Sequence, residues 1–86
     1  MKRDMDLIRK ILIKIEDSKE YPIRENIKIE GYDDDSINFH LILLGEAGLV
    51  EVDSKELSNG TKVIVEVSRL TLKGYEFLDS SRNKKV

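Results

Sequence analysis

The 86 residues predict a single α+β domain, three helices with a small antiparallel sheet, and three observations carry that prediction. Apolar residues recur at helical spacing near the start, across the middle and again near the end of the chain. Two runs of alternating apolar and polar residues flank Ser58-Asn59-Gly60-Thr61, where the Asn-Gly pair favours a hairpin turn. Eighty-six residues without a cysteine also leave room for only one core, which has to be continuous and use most of the chain.

The first helix is expected from Asp4 to about Ser18. Met5, Ile8, Leu12 and Ile15 fall on one stripe, and Leu7 and Ile11 widen it. Asp4 is placed to cap the helix, and Asp6 adds a negative charge where the dipole favours one. Ile13 falls on the opposite face among Arg9, Lys10 and Asp17, and reads as a single exposed apolar side chain.

Lys19 to Asp35 admits two readings. Residues 24–30 could form a short helix ended by a turn at Gly31, or a strand; Pro22, Asn26 and the alternation Ile27-Lys28-Ile29-Glu30 favour a strand from Ile27 to Glu30.

The central helix is expected from about Asp35 to Ala47, with Ile37, His40, Leu41 and Leu44 on its main face and Gly48 ending it. The run Asp33-Asp34-Asp35 lacks the D-x-D-x-D-G spacing of a calcium loop and serves the helix N-terminus instead. Phe39 and Ile42 lie off the main face, so the helix is apolar almost all round and wants cover on two sides. Gly45 inside it costs helix propensity and allows close approach by another backbone. His40 reads as a partly buried residue bonded to backbone or to a carboxylate.

Leu49–Asp53 and Lys62–Ser68 read as the strands of the hairpin, with a type I′ turn at Asn59-Gly60. A last helix from Thr71 to about Ser81 is capped by Thr71 and buries some of Leu72, Tyr75, Phe77 and Leu78. Residues 1–81 form the domain, and 82–86, Arg-Asn-Lys-Lys-Val, a flexible basic tail.

That order, helix, strand, long helix, hairpin, helix, is the order of a winged helix-turn-helix domain whose second helix is reduced or replaced by a strand. The string Ile37 to Val52, I-N-F-H-L-I-L-L-G-E-A-G-L-V-E-V, resembles the H-L-x-x-L-x-x-A-G-L-V signature of winged-helix regulators such as the ArsR type. Taken with M-K-R-D-M-D-L-I-R-K-I-L at the start, I-E-G-Y-D at Ile29 to Asp33 and R-L-T-L-K-G-Y-E-F-L-D at Arg69 to Asp79, the chain resembles the YjcQ-like family of small bacterial and phage-associated proteins. The resemblance implies the winged-helix fold and brings no activity with it.

Charge sorts the functions. The net charge of -2 offers no global attraction to nucleic acid. From Asp33 to Val50 there is no Lys or Arg, while Asp33, Asp34, Asp35 and Glu46 are carboxylates. The outward face of the central helix, Asn38, Phe39, Ile42 and Glu46, is therefore a candidate for recognition or for a partner, and it carries nothing to neutralise phosphate. Candidate nucleic-acid contacts lie elsewhere: Lys2, Arg3, Arg9, Lys10 and Lys14 around the first helix, Lys55 and Lys62 on the hairpin, Arg82, Lys84 and Lys85 in the tail.

One His, no Cys and no phosphate-binding glycine loop argue against an enzyme, a cofactor or a small-molecule substrate. The charged first residues and the absence of a long apolar run point to a cytoplasmic protein without a membrane partner. The expected function is DNA-associated and regulator-like, with double-stranded DNA as partner. The alternative is a protein-protein or homodimerisation module using the Phe39 and Ile42 face.

Overall fold

Among the described residues, three helices and one two-stranded antiparallel sheet follow in the order α1 (Met5–Glu16), α2 (Asp34–Glu46), β1 (Val50–Glu56), β2 (Lys62–Leu70) and α3 (Leu72–Arg82). This computed structural model describes residues 1–82. The α+β class is as the sequence predicts.

The Asp4 carboxylate accepts from the Asp6 and Leu7 amides and caps α1 as expected. Leu7, Ile11, Leu12 and Ile15 are fully buried and Ile8 nearly so. Each such side chain removed from water contributes about 1.5–3 kcal/mol before chain entropy is subtracted. Two expectations are corrected here. Met5 is 47% exposed, because the buried face is centred toward Leu7 and Ile11 and turns away from it. Ile13 is half-buried against the core cluster, since α1 packs on α2, α3 and β2 together and little of it faces water.

The expected strand at Ile27–Glu30 does not form, and neither does the alternative helix. Ile23 makes the only bridge of the segment, exchanging two backbone bonds with Val67 (Ile23 N to Val67 O 2.8 Å, Val67 N to Ile23 O 2.9 Å) on the outer edge of β2. With that edge taken at Val67 and occupied again further down by a side chain of α2, no ladder is open to residues 27–30. Their alternation records something else: Ile27 is buried in the core and Ile29 packs partly buried against it, on a stretch that is neither helix nor strand. Gly31, at φ +91, turns the chain between Ile29 and Tyr32, where a turn was expected.

β1 and β2 pair from Val50↔Leu70 to Glu56↔Lys62, with irregularities at Glu51/Val52 and at Asp53/Ser54. At the second, the partner steps from Glu66 to Ile64 and leaves Val65 over. That extra residue breaks the Val63-Val65-Val67 alternation: Val67 is buried, Val65 is 44% exposed and Ile64 is half-buried. The hairpin turn also differs from expectation. Type I′ needs positive φ at both central residues, and here only Gly60 has it, at +87. Gly60 N donates to Leu57 O (2.9 Å) and Leu57 N to Thr61 O (2.7 Å), a three-residue loop closed by a left-handed glycine. Asn59 keeps its side chain for the Thr61 amide, 3.0 Å away.

Thr71 caps α3 as expected, its hydroxyl accepting from Gly74 N at 3.0 Å. Leu78 is fully buried, Phe77 is half-buried, and Leu72 (71%) and Tyr75 (40%) face outward. Arg82, expected in the tail, is instead the last residue of α3, and its guanidinium pairs with the Glu16 carboxylate at the end of α1. The remainder of that expectation, 83–86, lies outside the described residues.

Candidate functional site

The candidate site is built around α2. The Asp33 carboxylate accepts from Ser36 N at 2.8 Å, and that backbone donor holds its pKa below the usual value. Asp34 and Asp35 follow in the first turn, and Lys28 reaches Asp34 at 2.9 Å. The core face is the expected one, Ile37, His40, Leu41 and Leu44.

His40 is 1% exposed, and both ring nitrogens are engaged with backbone. Nε2 accepts from Asp4 N at 2.9 Å and Nδ1 stands 2.7 Å from Ser36 O. A carbonyl can only accept, so the proton sits on Nδ1. The ring therefore ties the α1 cap to α2 and keeps no lone pair for a metal or for proton transfer.

Asn38 departs most from the sequence reading. Its amide bridges the outer edge of β2, with Oδ1 accepting from Ile64 N at 2.8 Å and Nδ2 donating to Lys62 O at 3.0 Å. It completes the sheet edge as another strand would, and so faces the hairpin instead of a partner. Gly45, about two turns further along, lets β1 approach: a Cβ there would stand 2.9 Å from Val52 Cγ2. The element that approaches is thus chiefly a side chain, with the Val50 carbonyl at 4.0 Å.

Between α2 and the hairpin this leaves an open groove of about 580 Å³, with Ile42, Gly45, Val52 and Ile64 along it and Glu46, Glu51, Asp53 and Lys62 at its margins. Three carboxylates thus stand against one ammonium, and Glu51 is further engaged by Arg69 at 3.1 Å. Ile42 and Phe39 are half-buried, Phe39 with its ring edge-on to His40 (5.3 Å between centroids, 86°), and Glu46 is exposed.

The basic candidates are more dispersed. Lys2 and Arg3 are exposed ahead of α1, Lys10 and Lys14 are exposed on it, and Arg9 is half-buried. Arg9 pairs with Asp6 (3.2 Å), and Lys10 lies over the Tyr32 ring, 5.6 Å from its centroid. Lys55 and Lys62 are exposed on the hairpin, where Lys62 faces Glu56 across the ladder. Arg82 is engaged by Glu16, and Lys84 and Lys85 lie outside the described residues. Among the described residues no group of three or more His, Cys, Asp or Glu could hold a metal ion, and no helix is long and apolar enough to cross a membrane.

Residues 2–86 match the family described as Hypothetical protein (DUF2513). A Haemophilus influenzae protein described as Uncharacterized protein is 37% identical over 89 residues, spanning 100% of this chain and 72% of its own length. No solved structure matches significantly.

Proposed function

The chain belongs to that DUF2513 family, and from this premise, which carries no chemistry of its own, we propose a non-catalytic, winged-helix-type binding module whose α2 face and adjoining groove take a protein surface. A second copy of the chain is the occupant we assign first. The observation that carries the reading is the lining of the groove, where Glu46, Glu51 and Asp53 surround an apolar strip beside a single Lys62. Duplex affinity rests on cations that release counterions from phosphate, and these carboxylates do the opposite. An apolar strip with a polar rim is the surface that protein partners cover, and a face that meets its own copy gives a twofold dimer. A non-catalytic role is supported by His40, whose ring nitrogens are both taken by backbone.

One observation favours the second reading, a DNA-associated, regulator-like protein. The Ile23–Val67 bridge supplies a rudimentary strand between α1 and α2, which fits the winged-helix order. Kinship with YjcQ-like, phage-associated proteins and a cytoplasmic location belong to the same proposal. The DNA footprint would then be the exposed cations at and before α1, Lys2, Arg3, Lys10 and Lys14.

Light scattering at micromolar concentration tests the first reading. A dimer is expected, reduced to a folded monomer by the double substitution Phe39→Lys, Ile42→Glu; a monomeric parent chain unaffected by that substitution overturns it. Titration of random-sequence duplex over a salt series is expected to show no binding even at low salt. Affinity that declines steeply as salt rises moves the function to the second reading.

A further inference from the structure

A second concavity lies where residues 23–27 peel away from β2. It shares only Ile64 with the α2–hairpin groove, and its volume is about 230 Å³. We propose that this notch receives the arginine side chain of an extended protein segment.

The floor is apolar: Ile27, Ile37 and Leu41 form its buried part, and Val65, put out of register by the bulge, lies along it 44% exposed. A β-branched side chain left half in water at the mouth of a hollow gains burial as soon as an aliphatic chain lies against it. The rim is acidic. Arg24 neutralises Glu66 at 3.2 Å and Lys28 neutralises Asp34 at 2.9 Å. Glu25 and Asp35 stay exposed on the rim, with no ion-pair partner among the described residues.

Apolar floor and anionic rim call for a ligand with a hydrocarbon stem and a cationic tip. Arginine fits better than lysine, because its planar fork is weakly hydrated and meets a carboxylate through two donors. The volume is below the roughly 300 Å³ at which pockets for whole small molecules begin, which suits one side chain. The neighbouring edge of β2 is already bonded, by Ile23 at Val67 and by Asn38 at Lys62 and Ile64. The segment is therefore held by its side chain and not as an added strand.

The test is a methyl-detected NMR titration with the peptide acetyl-Val-Arg-Val-amide and with the same peptide carrying citrulline, the neutral isostere of arginine. The arginine peptide is expected to shift the methyls of Ile27, Leu41 and Val65. Its affinity should exceed that of the citrulline peptide by about fivefold, the upper end for an exposed charge pair, and the double substitution Glu25→Gln, Asp35→Asn should abolish the difference. Val65→Lys, at an exposed position, supplies a second variant that fills and charges the notch and should abolish binding. Equal affinity of the two peptides, shifts confined to other methyls, or no shift at millimolar peptide overturns the proposal. The chain's mass and its response to duplex are separate readouts, so this failure is distinguishable from that of the dimer reading.

Discussion

Replacing Gly74 by alanine isolates the contact that seats α3 on the rest of the molecule. A Cβ at that position would stand 2.1 Å from the Leu49 carbonyl oxygen and 3.1 Å from its carbon. Ordinary carbon to oxygen contact begins near 3.3 Å, so the two backbones must separate by about an ångström. Leu49 has little freedom to move. Its amide donates to Leu44 O at 3.0 Å, its carbonyl accepts from Thr71 N at 3.0 Å, and the buried Val50 follows it. Overpacking of this kind costs about 1–3 kcal/mol, and a backbone neighbour puts Gly74→Ala at the upper end. Alanine returns about 1 kcal/mol through helix propensity. The net loss is then about 2 kcal/mol, which in a domain of this size lowers Tm by about 8–16 °C. Gly45→Ala is the control: its Cβ meets the Val52 methyl at 2.9 Å, and a side chain can give way, so stability should stay within about 1 kcal/mol of the parent. Thermal and urea unfolding followed by far-UV circular dichroism measure both. A Gly74→Ala chain that melts with or above the parent refutes the account of how α3 docks.

Two further outcomes are expected. Asn38→Ala leaves Ile64 N and Lys62 O without their partner, which should cost about 1–3 kcal/mol and speed hydrogen exchange at the Ile64 amide ahead of the rest of β2; uniform acceleration along the strand would mean that Asn38 does not anchor it locally. Asp33 has a folded pKa held below its ordinary 3.8, chiefly by the Ser36 backbone bond. Its contribution is thus fully present above pH 3.8 and is lost as pH falls further, through the folded value. Asp33→Asn keeps the capping acceptor and removes the charge, so it should lower Tm slightly at neutral pH and shrink the drop in Tm on going well below pH 3.8; an unchanged acid response in that variant counts against the Asp33 carboxylate as a source of the response.

The features that could be read from sequence are those decided within a few residues of where they occur. Asp4, Asp33 and Thr71 cap because their side chains reach amides two or three positions on, and the stripes of α1 and α2 follow from a fixed helical period. Ile27–Glu30 failed as a strand for the opposite reason. A strand exists only if an edge is open to it, and the edge was claimed by Ile23 and Asn38, residues whose sequence neighbourhoods say nothing about β2. Val65 changed its side through a bulge set by the register of two strands, which no alternation within one of them encodes. The site divides in the same way. Its charge was legible, because Asp33 to Val50 carries no cation in any fold, whereas the role of Asn38 was not, because a polar residue in an apolar helix says only that something must satisfy it. The same residue decides how α2 can be used. With its amide committed to β2, Asn38 cannot turn outward to read a base edge without releasing Ile64 N and Lys62 O. On the outward face of α2 the contact with a partner is therefore left to Phe39, Ile42 and Glu46, two half-buried apolar side chains and a carboxylate, and this composition suits a protein surface better than a phosphate backbone.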